Sequence, residues 1–264
     1  MKKRAVIVVS FGTSYDKAIK NAILPTEKVI EEALDGYKRR RAFTSQFIIN
    51  KLSKKSIYID DVEQALYKLK EEGYKEILVQ PLHIIPGYEY EEIKEAVYDF
   101  KNKNSFIKVV LGEPMIFKHE DYKKAVEALK TQLPLVREDR AVVLMGHGTN
   151  HNCNACYYCL QSFLDKECNN VYIANVEGMP KIGDIITSLK EKRINQVMLM
   201  PFMLVAGDHA FNDMAGEEDS WKSMLQEEGI EVELYLKGLG ENPAFRKIYA
   251  EKAKNSANMG FNDK

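Results

Sequence analysis

The stretch Ala141-Val-Val-Leu-Met-Gly-His-Gly-Thr-Asn-His151 decides how the rest of the chain is read. Its apolar run, residues 142–145, stops abruptly at Gly146-His147-Gly148-Thr149. Short continuous apolar runs bounded by glycine mark strands buried on both faces of a parallel sheet. In open α/β sheets, ligands gather where such strands end, at their carboxyl edge. The glycines on either side of His147 leave its imidazole unshielded and let a bulky molecule come close. His147 is therefore a candidate metal ligand or base.

Working outward, the same pattern occurs twice. AVIVVSFGTS at 5–14 lines up with AVVLMGHGTN at 141–150, an offset of 136 residues. Gly12 then matches Gly148, Thr13 matches Thr149, and Phe11 takes the place of His147. A second pair of long apolar runs, 76–85 and 196–205, repeats at an offset of 120. It matches Pro81 with Pro201 and Gly87 with Gly207, and sets Glu89 opposite His209. Further strands are expected at 41–45, 108–111, 171–176 and 231–236. Helical spacing is read at 16–34, with Pro25 as an interruption or boundary, and around 47–52. It recurs at 62–72, closing at Gly73, within 117–140 before the breaker Pro134, at 181–192 and at 243–254. A frayed tail, 255–264, is expected to follow.

Strands alternating with helices give doubly wound parallel sheets covered on both faces. The expected architecture is α/β, with two similar lobes facing each other across a cleft. Their boundaries are set at 1–125 and 126–264, and the second carries the final helix.

Composition narrows the function classes. The chain has 264 residues, 45% hydrophobic and 29% charged, which suits a globular protein with an ordinary core. With 38 basic against 39 acidic residues and a net charge of -1, nothing points to nucleic acid as a partner. The first apolar run, at 5–9, is too short for a signal sequence, and no run approaches the ~20 residues needed to span a bilayer. A cytoplasmic protein with reduced cysteines is expected. Gly12-Thr13 and Gly148-Thr149 fit neither a phosphate-binding loop nor a dinucleotide fingerprint.

Three side chains share one kind of address: His147, Glu177 and His209 each follow an apolar run at the carboxyl edge. Parallel strands ~4.8 Å apart bring such tips over one small volume. Two imidazoles and a carboxylate suit a divalent first-row ion, and three protein ligands leave positions open for reaction. By the repeat, Glu89 points into the same cleft from the first lobe, although its acidic surroundings also suit a helix N-terminus. His83 is read as a buried, hydrogen-bonded histidine within a strand, His119 as a surface residue, and His151 as part of a helix-entry turn. Cys153, Cys156 and Cys159, with Cys168 beyond, have the spacing of an iron–sulfur run. On a helix, however, such positions drift around the barrel, so small unligated thiols are the competing reading.

Taken together, SFGTS at 10–14, RAFTSQFI at 41–48, QPLHII at 80–85, GHGT at 146–149, VEG at 176–178 and LMPFMLVAGDHA at 199–210 are specific. They resemble the anaerobic cobalt chelatases of cobalamin biosynthesis, the CbiK type, over nearly the whole chain. The resemblance implies two flavodoxin-like halves related by a pseudo-twofold. It implies cobalt ligation by His147, Glu177 and His209, with His147 also accepting a proton, and Co2+ insertion into sirohydrochlorin, a flat tetrapyrrole edged with carboxylates. Cobalt is then a substrate, and no tightly bound cofactor is expected. Glu89 becomes a second proton acceptor, and the amides of Ser10, Gly12 and Thr13, with the cation of Arg41, hold ring carboxylates. Family members usually carry small residues such as alanine where this chain has Cys153, Cys156 and Cys159. Iron insertion towards sirohaem and a non-catalytic metal carrier are the alternatives, and a homo-oligomer is compatible with the sequence.

Overall fold

In the computed structural model, residues 3–134 and 138–261 are described. The first unit opens with β1 (Arg4–Ser10), a short α1 (Asp16–Ala18) that runs through a π-turn (Ile19–Ile23) into α2 (Leu24–Ala33), and β2 (Tyr37–Phe43). It continues through α3 (Gln46–Ser53), α4 (Val62–Glu71), β3 (Glu76–Pro81), α5 (Tyr88–Lys103) and β4 (Lys108–Leu111). The second unit holds α6 (His119–Lys130), β5 (Arg140–Gly146), a 3-10 turn (Asn152–Asn154), α7 (Ala155–Glu167), β6 (Val171–Asn175) and α8 (Ile182–Glu191). Then come β7 (Gln196–Pro201), a π-turn (Ala210–Met214), α9 (Trp221–Glu227), β8 (Glu231–Leu234) and a second 3-10 turn (Leu239–Glu241), followed by α10 (Pro243–Phe261), which from Arg246 onward belongs to the first unit.

Each unit is one four-stranded sheet, in the orders β2-β1-β3-β4 and β6-β5-β7-β8, and every pairing is parallel. The first strand of each unit is buried from its second residue to its end, which is why it reads as an uninterrupted apolar run. Alternate residues of β1 (Ala5, Ile7, Val9) pack with Val62, Ala65, Leu66 and Leu69 of α4 and with Ile93, Val97 and Phe100 of α5. In the second unit, Ala141, Val143 and Met145 of β5 pack with α8 and α9 in the same way.

The repeat extends to single hydrogen bonds. Leu82 N–H donates to Val9 O at 2.7 Å, and Phe202 N–H to Met145 O at 2.7 Å. Met115 N–H donates to His83 O at 2.9 Å, as Leu239 N–H does to Met203 O at 2.8 Å. In both units the strand order reverses between the first and third strands, and that switch point opens at their carboxyl ends.

Several boundaries differ from the sequence reading. β2 covers Tyr37–Phe43 rather than 41–45, because its Lys-Arg-Arg-Arg core carries no apolar signal. It is an edge strand, where basic residues are at home, and its arginines are held by Glu27, Glu31 and Glu72. β3 and β7 stop at Pro81 and Pro201, four residues early, since proline has no N–H to continue a ladder. Pro25 lies in the first turn of α2, where the missing N–H is tolerated, so it marks a boundary, the entry to α2, rather than an interruption.

α9 was not anticipated, and α10 runs to Phe261 rather than 254. Ser256, Ala257 and Phe261 of the expected tail are buried; residues 262–264 lie outside the described residues. The division between the lobes also falls elsewhere. Residues 1–117 cluster with the chain from Arg246 onward, and Lys118–Phe245 form the second unit. The reason is local: Tyr249 donates its buried hydroxyl to Leu82 O at 2.9 Å, and Lys252 pairs with Glu113 at 3.3 Å. No helix among the described residues is long and apolar enough to cross a membrane.

Candidate active site

The chemistry of the second unit begins where β5 ends. The β5–β6 ladder does not stop with the strands: Val176 N–H donates to Gly146 O at 3.1 Å, and Glu177 N–H to His147 O at 2.7 Å. His147 and Glu177 are thus fixed side by side through their backbones. That approach requires Gly148, whose φ is +74°. A Cβ there would lie 1.6 Å from Glu177 O, a distance no structure accommodates. The loop is tied down further by Asn154, which accepts from Thr149 N–H at 3.1 Å and donates to Met179 O at 2.7 Å. Asn175 donates to the same carbonyl at 2.7 Å, next to the cis Met179–Pro180 bond. Tyr157 of α7 receives Gly148 N–H at 3.4 Å.

His209 arrives from the neighbouring strand, β7, at the residue before a π-turn. Its ring stands edge-on to that of His147, with centroids 4.9 Å apart and an interplanar angle of 82°. Nδ1 of His147 lies 3.0 Å from Gly148 O, and Nδ1 of His209 lies 2.6 Å from Asp213 Oδ2. A carbonyl and a carboxylate can only accept, so both neutral rings carry their proton on Nδ1 and keep the Nε2 lone pair for a ligand. A metal-binding histidine usually has such a partner, which fixes its tautomer and raises its basicity.

The structure brings His147 and His209 together at the switch point. The side chain of Glu177 is exposed, and among the described residues no group of three His, Cys, Asp or Glu side chains is gathered as a metal cage. His151 caps the 3-10 turn by accepting Cys153 N–H on Nδ1 at 3.1 Å, the helix-entry role expected of it. His119 is exposed as expected, and none of the four cysteines is in a disulfide among the described residues.

In the first unit the equivalent ladder extension joins Thr44 N–H to Ser10 O at 3.0 Å and Ser45 N–H to Phe11 O at 3.1 Å. Phe11 and Ser45 therefore occupy the places of His147 and Glu177, which explains why one unit alone carries the imidazole pair. Gly12 has φ +100° and repeats the close approach, for a Cβ there would lie 2.6 Å from the Phe43 ring. Thr13 is buried, and its hydroxyl accepts Tyr15 N–H at 3.2 Å. Ser10 is buried, and its Oγ, Thr44 Oγ1 and both ring nitrogens of His83 have no hydrogen-bond partner among the described residues. His83 thus lies beyond β3 and is not the hydrogen-bonded strand histidine expected; burial pushes its imidazole down to about 4, against the opposing pull of Glu89. Glu89 sits in the first turn of α5 and helps to raise its neighbour Glu92, whose shift comes first from burial. Arg41 is engaged from below: Nε and Nη2 reach both oxygens of the buried Glu27 at 2.5 and 2.9 Å.

Asp213 is the residue that sequence reasoning missed. Its four-residue spacing from His209 was the available signal, but it lies on an irregular turn where helical periodicity gives no guide.

The sequence profile of the cobalt chelatase (CbiK) family matches residues 4–258. The chain belongs to that family. A sirohydrochlorin cobaltochelatase of Salmonella typhimurium is 40% identical over 263 residues, covering 99% of both chains. The sirohydrochlorin cobaltochelatase CbiKC of Nitratidesulfovibrio vulgaris is 32% identical over 253 residues, 95% of this chain and 89% of the relative. Among solved structures, SirB from Bacillus subtilis with Fe3+ superposes with a TM-score of 0.69 at 16% identity, over 98% of this chain and 97% of that one. The same chelatase in complex with cobalt gives 0.67. At that identity the likeness shows the fold, which is that of the chelatases.

Proposed function

We propose that the protein is a sirohydrochlorin cobaltochelatase, inserting Co2+ into the tetrapyrrole. The observation that carries this reading is the imidazole pair at the switch point, each ring with its Nδ1 committed to an acceptor and its Nε2 available. Membership in the cobalt chelatase family supplies the metal and the macrocycle.

Insertion requires the metal to shed ligands while two pyrrole N–H protons leave. Neutral imidazoles are suited to hold a first-row divalent ion that must then be given up. His147 and His209 receive Co2+ on Nε2, and Glu177, exposed beside His147, offsets its charge. As the ring nitrogens displace His147, its freed Nε2 takes one pyrrole proton. Glu89 is the second acceptor. Ser10, Gly12 and Thr13 offer backbone amides to ring carboxylates, and Arg41, oriented by Glu27, supports that strand end. Cobalt is a substrate in this scheme, and no tightly bound cofactor takes part. We place the protein in a reducing compartment such as the cytoplasm, where its four cysteines stay as thiols.

The test is anaerobic turnover of sirohydrochlorin with Co2+ and with Fe2+, followed by absorbance. Insertion of cobalt well above the spontaneous rate, and faster than iron, is expected. Faster turnover of Fe2+ would move the reading to sirohaem formation. Stoichiometric metal binding without acceleration would make the protein a carrier.

A further inference from the structure

The loops that carry the imidazole pair also carry large apolar side chains that metal binding does not call for. Among the described residues of the second unit, four such side chains are exposed: Tyr158, Met179, Phe211 and Met224. Two of the four belong to the strand-end loops of the candidate site. Met179 follows Glu177 by two residues and is 45% exposed, and Phe211 follows His209 by two and is 41% exposed.

Both are displayed from a fixed backbone. The carbonyl of Met179 accepts from Asn154 and from Asn175, each at 2.7 Å. On the same loop, Glu177 N–H is bonded to His147 O at 2.7 Å. Phe211 N–H donates to Gly207 O at 3.2 Å, on the π-turn that carries Asp213, the partner of His209. The rings of His147 and His209 are 4.9 Å apart, so the two loops stand side by side and each bears one exposed apolar tip.

Exposed apolar groups beside a polar site mark a surface that an apolar ligand covers. A divalent ion is held by imidazoles and carboxylates and gains nothing from a phenyl ring or a thioether nearby. Thioethers are soft ligands that select Cu+, so Met179 does not extend a ligand set for Co2+. A flat conjugated ring does gain, because sulfur and phenyl both make favourable contacts with an aromatic face. Such contacts distinguish an enzyme that binds a macrocycle from a carrier that binds only the metal.

We propose that Met179 and Phe211 are substrate-contacting residues that hold the face of the tetrapyrrole over the imidazole pair. The assignment rests on the chelatase reading and adds to it residues that bind the ring independently of the metal.

The test treats the two substrates separately. Metal-free sirohydrochlorin is titrated anaerobically into the full-length protein and followed by its absorbance, and KM for Co2+ is measured at saturating tetrapyrrole. Met179→Ala and Phe211→Ala should each raise Kd for the tetrapyrrole by about 10-fold and leave KM for Co2+ unchanged. Met179→Leu keeps the apolar surface and should bind as the wild type does. So should Met259→Ala, which removes an exposed methionine of the first unit. Wild-type Kd in both alanine variants, or an equal loss in Met179→Leu, would overturn the assignment. A wild type that binds no tetrapyrrole would overturn the chelatase reading itself, and this assignment with it. Circular dichroism on each variant separates loss of the contact from loss of the fold.

Discussion

At the scale of single residues, Asp213 governs how His209 can act. Its carboxylate accepts from Nδ1 at 2.6 Å, which holds the ring in one tautomer. Asp213→Asn keeps the shape but weakens that hold. A loss of roughly 10–100-fold in cobalt-insertion rate or affinity is expected, measured as kcat and KM for Co2+; unchanged constants would show that His209 needs no orienting partner.

His83 makes a different kind of prediction. Its folded-state value, about 4, lies below the 6.5 of a free imidazole. Between those values the unfolded chain binds a proton that the folded chain refuses, so stability falls as pH drops from about 6.5 to about 4. The full effect is at most ~3.4 kcal/mol. Urea midpoints across that window should slope less steeply for His83→Gln than for wild type, and equal slopes would remove His83 as the source.

The residue scale also marks the limits of reading from sequence. His147 and His209 were legible because each follows a strand of the switch-point pair. Arg41 looked like a free cation because its partner, Glu27, lies 14 residues earlier on a different element.

At the scale of elements, the active loop is an extension of a ladder. Glu177 N–H to His147 O continues the β5–β6 pairing past both strands, and Gly148 leaves room for it. Gly148→Ala places a carbon into Glu177 O in a backbone region that alanine avoids. Because the clash is confined to the loop, cobalt insertion should fall by more than ~10-fold with little change in the circular dichroism spectrum. Retained activity would mean that the two tips need not be so close.

Apolar elements were the readable ones: β1 and β5 repeat at the offset of 136 seen in the sequence. What stayed hidden was held by charge or by irregular backbone. β2 is basic, and its pairing with the carboxylates of α2 and with Glu72, just past α4, is a tertiary fact. The π-turns follow neither helical nor strand periodicity, and α9, at seven residues, is too short to show a period. α10 was cut short because Asn255 and Ser256 read as a fraying end, whereas burial of Phe261 sustains the helix.

At the scale of the whole molecule, the chain is a duplicated plan whose halves have parted in chemistry. Both units keep the sheet order, the closing hydrogen bonds and the positive-φ glycine after the first strand. Where the second unit carries His147, Glu177 and His209, the first carries Phe11, Ser45 and Glu89. The scaffold explains where a ligand can meet the protein; the three differences explain why the imidazole pair stands in one unit and not in the other. The most direct measurement is anaerobic absorbance of sirohydrochlorin with Co2+ in the presence of wild type, His147→Ala and His209→Ala, each checked for fold by circular dichroism. Wild type should convert the tetrapyrrole while both folded variants leave it at the spontaneous rate; wild-type rates in the two variants would contradict the imidazole pair as the site of metal insertion.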